Sequence, residues 1–376
     1  MTIRYETSSG LTSKLFQLNW LLPVLTSLLG LVGCLAILSA TNGVWMNGAV
    51  QHGVRVLVAF AIMIFVALID IRVWYAVAYP VFAVAVVLLI GVEFIGVTVN
   101  GSQRWLDIGP IRVQPSEVVK PATVLALARY YHDLPSWRVS GPFGILGALL
   151  IVGVPVALIL KQPDLGTSML VVATGIAMIF LAGVSWRVIS IASVMAVVSI
   201  PIVWRFGLHD YQRERVFTFL DPSRDPTGAS YHITQSKIAL GSGGVSGKGF
   251  MQGTQRQGGY VPENRTDFIS TVIGEEFGFI GSLALIGLYI AVIGACIRLS
   301  MQCRSVFSRL LILGLTTTFA LYIFINLGMV MGLLPVVGVP LPLVSYGGTV
   351  VLVVMGGFGL MLSAHLHNDT LLPRSD

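Results

Sequence analysis

Long apolar runs separated by short polar segments dominate this chain. About ten of these runs are long enough to cross the hydrocarbon core of a bilayer as α-helices, which requires roughly 17–25 residues each. They lie at 18–40, 54–70, 75–98, 114–131, 142–160, 166–184, 188–205, 267–297, 308–331 and 345–365. The pattern therefore predicts an all-α integral membrane protein, a polytopic bundle of about ten transmembrane helices in a single membrane domain over residues 1–376.

One segment, 206–266, breaks the pattern because it is polar, Gly-rich and charged. We expect it to form the single long loop of the chain, on the extracytoplasmic side. That side follows from the Lys and Arg residues of short loops, which are enriched on the cytoplasmic side of membrane proteins. With both termini cytoplasmic, the inner connections hold Arg4, Lys14, Arg72, Arg129, Arg138, Arg187, Arg298, Arg304, Arg309 and Arg374, and the outer short loops hold fewer, Arg55, Arg104, Arg112 and Lys161.

The composition agrees with a membrane protein. Hydrophobic residues make up 55% of the chain and charged residues only 11%, whereas an ordinary soluble domain carries about 25% charged residues. A soluble core of this length could not cover so much apolar surface, but lipid can. The net charge of +6 does not indicate a nucleic-acid partner, because no basic run interleaved with aromatic residues occurs. The three cysteines show no metal-ligand spacing.

Ionisable residues inside apolar runs mark candidate functional positions, because each costs about 2.5–3.5 kcal/mol on insertion scales. Glu117 and Lys120 lie in the run 114–131 at an i,i+3 spacing, which puts both on one helix face. They form either a self-neutralising structural ion pair or a charged wall of a cavity that is open to the outside. The residues alone leave both interpretations open.

Two aspartates lie at the outer ends of predicted helices. Asp164 is placed to cap the helix that follows it, and a direct catalytic role is the alternative. Asp267 falls in the first turn of the run 267–297, where the helix dipole favours a carboxylate and where Arg265 is close. Asp267 is therefore either an N-cap residue or a reactive carboxylate at the outer surface.

Two loops also carry candidate residues. The segment 241–249 is Gly-rich but does not match the phosphate loop of nucleotide-binding proteins, because two of its fixed positions carry other residues. Its backbone N–H groups and Lys248 would still suit a phosphate. The last outer connection, 332–349, contains three prolines and includes Ser345 and Tyr346. Irregular backbone at membrane depth is tolerated only inside protein or along a cavity, so this connection predicts a re-entrant element beside a site.

Several motifs, in the right order over nearly the whole chain, resemble those of the SEDS family (shape, elongation, division and sporulation proteins). They are Gly101-Ser102-Gln103-Arg104-Trp105, Gln114-Pro115-Ser116-Glu117, Gln162-Pro163-Asp164-Leu165-Gly166-Thr167, Thr266-Asp267-Phe268, Gly274-Glu275-Glu276 and Pro340-Leu341-Pro342-Leu343-Val344-Ser345-Tyr346-Gly347-Gly348. The resemblance implies a peptidoglycan glycosyltransferase that polymerises lipid II, with an active site that faces the periplasm. It also implies that Asp267 is the essential catalytic residue.

Within the family, the segments 211–216, 231–239 and 335–340 are most similar to the elongation members, and the division members are the close alternative. The implied partners are a class B penicillin-binding protein as transpeptidase, membrane proteins of the elongation complex, lipid II and membrane lipid. The implied location is the bacterial inner (cytoplasmic) membrane. Candidate substrate-binding residues are Glu117, Lys120, Asp164, Arg213, Arg215, Gln235, Ser236, Lys248, Arg265, Ser345 and Tyr346. No metal ligand is assigned, and the sequence leaves open whether the reaction uses a divalent cation, Mg²⁺ or Mn²⁺.

In the expected reaction, Asp267 accepts the proton of the acceptor sugar's 4-hydroxyl group while lipid pyrophosphate leaves the anomeric carbon of the donor. Basic residues such as Lys120, Arg213, Arg215 and Arg265 would meet the charge of the leaving group. One rival hypothesis is a lipid II flippase whose polar path includes Glu93, Glu117 and Lys120. Against it, the sequence shows no inverted repeat. A second rival is a scaffold that only recruits enzymes.

Overall fold

The computed structural model describes residues 11–99, 102–109, 111–202, 205, 213, 217–219, 221, 229–254, 263, 265–370, 372 and 373. Most of these residues are helical. The α-helices are α1 (Leu11–Gln17), α2 (Leu21–Ala40), α3 (Val50–Leu68), α4 (Ile71–Ile95), α5 (Pro115–Asp133), α6 (Pro142–Lys161), α7 (Leu165–Leu181), α8 (Trp186–Ile202), α9 (Ala229–Ser242), α10 (Ile269–Gln302), α11 (Val306–Val330) and α12 (Gly348–Leu366). A π-helical turn, Trp45–Ala49, precedes α3, and a 3-10 turn, Ser136–Arg138, precedes α6.

Each predicted membrane span coincides with a helix, which confirms the all-α polytopic architecture. Within the described part of the chain, seven helices are both long and apolar enough to cross a bilayer: α2, α3, α4, α6, α10, α11 and α12. The helices α7 and α8 have 17 residues each. Helix α5 contains Glu117 and Lys120, and most of its side chains are buried in protein. Burial in protein explains why α5 does not need the apolar surface of a lipid-facing helix.

Helix α11 occupies the centre of the bundle, because it packs against α5, α7, α10 and α12. Small residues allow the close approach. A Cβ atom added at Gly314 would lie 2.7 Å from Val124 Cγ1 of α5 and 2.8 Å from Met178 Sδ of α7. Between membrane helices, such close packing supplies the attraction that the hydrophobic effect supplies in water. The polar side chains that α11 carries therefore lie inside protein.

The structure contains three features that the apolar pattern did not predict. A small antiparallel sheet, β1 (Val97–Val99), β2 (Ser102–Ile108) and β3 (Ile111–Val113), connects α4 to α5. Helix α9 lies inside the segment that we expected to be a loop throughout, so that expectation was wrong for residues 229–242. Helix α10 is interrupted at Gly278, whose φ of 64° and ψ of −156° are not helical.

The two ends of the described chain meet on one face of the bundle, where Lys14 Nζ lies 3.3 Å from His367 Nε2. We call the opposite end of the bundle the outer end. The small sheet, the starts of α5, α7, α10 and α12, and the irregular segment 331–347 between α11 and α12 all lie there. We call the segment 331–347 the strap. Its lack of regular structure confirms the prediction made from its prolines.

Candidate active site

A polar pocket opens at the outer end of the bundle, where α5, α7, α11, the small sheet and the strap meet. Its volume of about 60 Å³ is enough for a few water molecules. The lining residues are mostly polar, and they are Arg104, Gln114, Glu117, Lys120, Asp164, Thr167, Leu170, Tyr322, Gly338, Val339, Pro340 and Val350. The pocket therefore brings together three of the residues that the sequence singled out, Glu117, Lys120 and Asp164.

Asp267 lies two residues before α10 begins. It does not itself line the pocket, but it is next to Gly338, which does. The adjacent strap residue is Gly338, where an added Cβ atom would lie 3.5 Å from Asp267 Oδ2. Burial, and to a smaller extent the negative charges of Glu263 and Asp164, together raise the pKa of the Asp267 carboxyl group to about 6. A carboxyl group with this pKa is mostly ionised at pH 7 and is still a stronger base than an ordinary aspartate.

The backbone around Asp267 is fixed by the strap. Ser345 Oγ donates a 2.5 Å hydrogen bond to the carbonyl oxygen of Thr266, and the Tyr346 backbone N–H donates to the carbonyl oxygen of Arg265 at 2.8 Å. Ser345 Oγ also accepts a 2.8 Å hydrogen bond from the Leu341 backbone N–H. Ser345 and Tyr346, which were candidates for substrate binding, therefore hold the segment that leads to Asp267.

Asn326 of α11 holds the same region from the opposite side. Its Nδ2 donates to the carbonyl oxygen of Asp267 at 2.8 Å and to the carbonyl oxygen of Val339 at 2.7 Å. Our sequence-based list of site residues did not contain Asn326. The sequence does contain a signal that could have identified it. Asn326 interrupts the apolar run 308–331, and an amide side chain is costly inside a membrane span.

Glu117 and Lys120 form the ion pair that their spacing predicted. Lys120 Nζ lies 2.6 Å from Glu117 Oε1, and both side chains are almost fully buried. Tyr322 of α11 donates its hydroxyl hydrogen to Glu117 Oε2 at 2.5 Å, and its ring lies 4.4 Å from Lys120 Nζ. The pair is thus both neutralised and a wall of the pocket, which combines the two interpretations that the sequence left open.

Asp164 caps α7, as predicted, by accepting a 3.1 Å hydrogen bond from the Thr167 backbone N–H. The turn before it is held by Arg104 of β2, whose Nε donates to the carbonyl oxygen of Gln162 at 3.0 Å and whose Nη2 donates to that of Pro163. Arg104 also lines the pocket. We did not predict this role, because the sequence does not show that β2 crosses the outer end of α6.

The strap itself is anchored by two further helices. His52 of α3 is buried, and its Nε2 lies 3.1 Å from the carbonyl oxygen of Leu343. Only a protonated Nε2 can bond to a carbonyl group, so this nitrogen carries the hydrogen. Tyr289 of α10 donates to the carbonyl oxygen of Pro342 at 2.7 Å. Leu343 has a φ of 64°, a strained value for a non-glycine residue, and these contacts offset the strain.

Lys248 lies outside the pocket, in a network that braces the kink of α10. Its Nζ donates to Glu275 Oε1 at 2.7 Å, to Thr254 Oγ1 at 2.7 Å and to Ser242 Oγ at 2.8 Å. The interruption at Gly278 leaves backbone groups of α10 without helical partners, and the loop that follows α9 satisfies several of them. The structure therefore places Lys248 in a structural role at a helix break.

The remaining candidates that the structure describes do not line the pocket either. Ser236 is fully buried in α9 and donates to the carbonyl oxygen of His232 at 2.7 Å. Gln235 is half-buried on the same helix, which packs against α10 and α11. Arg213 donates to the carbonyl oxygen of Arg205 at 2.9 Å. Arg215 lies outside the described residues. The exposed side chain of Arg265 has no ion-pair partner among the described residues, and it lies two positions before Asp267.

Comparisons with known proteins agree with one another. A family model described as a cell cycle protein, which groups FtsW, RodA and SpoVE, matches residues 16–370. The chain is 45% identical to the peptidoglycan glycosyltransferase MrdB of Escherichia coli over 320 residues, which are 84% of this chain and 85% of the relative. It is 37% identical to a probable peptidoglycan glycosyltransferase FtsW of Trichlorobacter lovleyi over 78% of this chain and 77% of the relative.

Solved structures share the fold. A chain of a peptidoglycan synthase complex that coordinates polymerization and crosslinking superposes with a TM-score of 0.79 at 28% identity, over 93% of this chain and 97% of the other. The rod shape determining protein RodA of Thermus thermophilus superposes with a TM-score of 0.71 at 24% identity, over 94% and 98% of the two chains. This protein is therefore a multi-pass membrane protein that belongs to the SEDS family of FtsW, RodA and SpoVE.

Proposed function

We propose that this chain is a peptidoglycan glycosyltransferase that polymerises lipid II during cell elongation, with Asp267 as its general base. The observation that carries the proposal is the Asp267 carboxyl group, which lies beside Gly338 in the wall of the polar pocket and has a pKa raised to about 6. The identity of 45% to the glycosyltransferase MrdB, against 37% to a division-type relative, supports both the activity and the elongation branch.

The chemistry follows from the carboxylate. Asp267 takes the proton from the 4-hydroxyl group of the acceptor sugar as the hydroxyl oxygen bonds to the anomeric carbon of the donor. The bond from that carbon to the diphosphate oxygen breaks, and the lipid diphosphate leaves with the bonding electrons. One inversion occurs at the anomeric carbon. With a pKa of about 6, roughly nine-tenths of the Asp267 carboxyl groups are ionised at pH 7 and ready to accept a proton.

The negative charge that develops on the leaving diphosphate requires cations. Arg265 is suited to this task, because its side chain is exposed and it lies two positions before Asp267 in the chain. Lys120 is already neutralised by Glu117 at 2.6 Å, and Arg104 is engaged with the turn before Asp164. Both residues line the pocket with their charges already engaged, whereas Arg265 has an exposed guanidinium group that can bind phosphate oxygens.

A divalent cation would add to this charge. Among the described residues, no group of three or more His, Cys, Asp or Glu side chains is arranged to hold a metal. Mg²⁺, however, is often held by one or two carboxylates together with substrate phosphates. Asp164 and Asp267 could serve as such carboxylates, because Asp164 lines the pocket and is close enough to raise the pKa of Asp267.

The orientation that fits this reaction places both termini in the cytoplasm and Asp267 at the periplasmic face of the inner membrane. The contact of Lys14 with His367 puts both ends of the described chain on one face, and the Lys and Arg residues of the short loops favour that face as cytoplasmic. A class B penicillin-binding protein fits as transpeptidase partner within the elongation complex, because a similar chain occurs in a complex that coordinates polymerization and crosslinking.

The experiment is polymerisation of lipid II in detergent by the purified protein, with and without its transpeptidase partner. We expect glycan polymer from the wild type, and a rate about 10²–10⁴-fold lower for Asp267→Asn, because that is the usual contribution of a general base. Asp107→Asn is the matched control, since Asp107 is an exposed aspartate that pairs with Arg112 on the small sheet. Full activity of Asp267→Asn would refute the role of this carboxylate.

The same assay decides between the enzyme and its rivals, because detergent leaves no membrane to cross. A flippase or a scaffold produces no polymer under any partner condition, and that result would overturn the proposed function. Polymer that forms only in the presence of the partner, and that disappears with Asp267→Asn, would still support the enzyme.

A further inference from the structure

Asn326 makes two hydrogen bonds that join three parts of the outer end. Its Nδ2 donates to the carbonyl oxygen of Asp267 at 2.8 Å, before the start of α10, and to that of Val339 at 2.7 Å, in the strap. The side chain belongs to α11, the central helix, and it is fully buried. Both acceptors are carbonyl oxygens, so the NH₂ end of the amide must face them, and the assignment of N and O is fixed by chemistry.

The hydrogen bond from Asn326 to Val339 is important because Val339 follows Gly338 in the strap. Gly338 is the strap residue that borders the Asp267 carboxyl group, at 3.5 Å between a Cβ atom built on Gly338 and Asp267 Oδ2. Asn326 therefore holds the backbone of the carboxylate and the backbone of the wall next to it with the same NH₂ group. Neither apolar side chains nor hydroxyl groups of similar size offer two donors in this geometry.

Asn326 is also a costly choice for stability alone. Its Oδ1 is buried and has no hydrogen-bond partner among the described residues. A buried acceptor without a partner destabilises a protein, and an apolar residue of the same size would avoid that cost. Other polar side chains of α11 are satisfied by the helix itself, as in Thr318, which donates to the carbonyl oxygen of Gly314 at 3.0 Å.

We propose that Asn326 is a positioning residue for the transferase reaction, which sets the distance and the solvation of the Asp267 carboxylate by tying its backbone to the strap. This inference rests on the proposed function, because it assumes that Asp267 is the base. Asn326 does not touch the substrate. It keeps Asp267 beside Gly338, where the charges that face it are Asp164 from the start of α7 and Glu263 from the preceding turn.

Two variants test the role. Asn326→Leu keeps the branched shape of the side chain and removes both hydrogen bonds, and we expect kcat to fall about 100-fold with KM within about twofold, because misplacement of a base by about 1 Å has effects of this size. We also expect the acid limb of the kcat–pH profile to move from about pH 6 toward pH 4, since a released carboxyl group gains solvent. Asn326→Gln keeps the two donors on a longer arm and should regain part of kcat.

Thr318→Val is the matched control, because it removes a buried hydroxyl from α11 two turns away, where Thr318 contacts Thr174 at 3.2 Å. We expect the control to keep the acid limb of the wild type. Thermal unfolding in detergent gives the folded fraction of every variant, so rates refer to folded protein. Two results would overturn the inference: wild-type kcat in Asn326→Leu, or a lower kcat with an unchanged acid limb and no recovery in Asn326→Gln.

The failure of the proposed function has a different signature. If Asp267→Asn keeps full activity, or if the wild type forms no polymer with any partner, then Asp267 is not the base, and the inference falls together with the function. If Asp267→Asn is inactive while Asn326→Leu behaves as the wild type, then the function stands and only the positioning role is refuted.

Discussion

Two carboxylates at the outer end of the bundle have opposite surroundings. Glu117 is 4% exposed, lies 2.6 Å from Lys120 Nζ and accepts a hydrogen bond from Tyr322. Asp267 is partly exposed, and the charged groups that influence it most are two further carboxylates, Glu263 and Asp164. Glu117 is thus balanced by a cation, whereas the neighbours of Asp267 oppose its charge.

This difference separates a structural carboxylate from a reactive one. A carboxylate that pairs with a lysine and accepts a hydrogen bond from a tyrosine is held in place by both partners. A carboxylate that is surrounded by negative charge and partly desolvated takes up a proton readily. Glu117 therefore fits a structural role in the wall of the pocket, and the raised pKa of Asp267 fits the general base that we propose.

Removing one partner of the buried Glu117–Lys120 ion pair should cause a large loss of stability. Lys120→Met leaves Glu117 as an uncompensated buried charge, and we expect a loss of about 3–5 kcal/mol in the free energy of unfolding. Equilibrium unfolding in detergent, followed by circular dichroism, measures it. The double variant Glu117→Gln with Lys120→Met removes both charges and should recover most of that loss, because replacement of a whole buried pair is often neutral.

The double variant also tests what the pair does for the reaction. If Glu117 and Lys120 only neutralise each other, the double variant should polymerise lipid II nearly as fast as the wild type once its stability is restored. A stable double variant with strongly reduced kcat would show that Lys120 acts on the substrate. The Glu117–Lys120 pair would then have a role in the reaction and not only in the structure. A single variant, Lys120→Met, with unchanged stability would contradict the buried pair itself.

The sequence predicted the parts of the molecule that depend on local pattern. The membrane helices follow from apolar runs, the pairing of Glu117 with Lys120 follows from their i,i+3 spacing, and the cap by Asp164 follows from its position before a helix. The irregular strap follows from its prolines. All of these features are set by residues that lie within a few positions of one another.

Features that join distant parts of the chain were not predicted. Lys248 meets Glu275 across 27 positions, and Asn326 meets Asp267 across 59 positions. Such contacts are set by how helices pack, and no local pattern encodes the packing. The small sheet was missed for another reason. Its strands are short, and the residues of β2 do not alternate between polar and apolar as expected for a strand.

A further prediction concerns the dependence of kcat on pH. The pKa of about 6 at Asp267 predicts that kcat falls about tenfold for each pH unit below 6 and levels off above 7, because only the ionised carboxylate accepts a proton. Initial rates of lipid II polymerisation between pH 5 and pH 8 measure the profile. An acid limb centred near pH 4 would show an ordinary aspartate and would remove the contrast with Glu117.

Stability should depend on pH with the opposite sign. The pKa of Asp267 is higher in the folded protein than its ordinary value of 3.8, so the folded state holds the proton more tightly. The associated stability is present below about pH 4 and is lost as the pH rises through 6, up to about 3 kcal/mol. Asp267→Asn should therefore unfold at a higher temperature than the wild type at pH 7, although we expect it to polymerise lipid II far more slowly. A lower midpoint would contradict the raised pKa.

The last prediction concerns Gly338, the strap residue beside the Asp267 carboxyl group. Gly338 has a φ of 72°, and a Cβ atom there would lie 3.5 Å from Asp267 Oδ2, which is an ordinary contact distance. Gly338→Ala should cost about 1–2 kcal/mol of stability because of the left-handed backbone. The added methyl group also displaces water from the carboxylate, so the acid limb of the kcat–pH profile should move above pH 6.

Gly183→Ala separates the two consequences. Gly183 follows α7 at the end away from the pocket, has a φ of 88°, and leaves open space around an added Cβ atom. It should lose a similar amount of stability and keep the acid limb of the wild type. If both variants shift the acid limb equally, the shift reflects a general loosening of the bundle. If only Gly338→Ala shifts it, the strap sets the solvation of Asp267, and the contrast with Glu117 arises from one wall of the pocket.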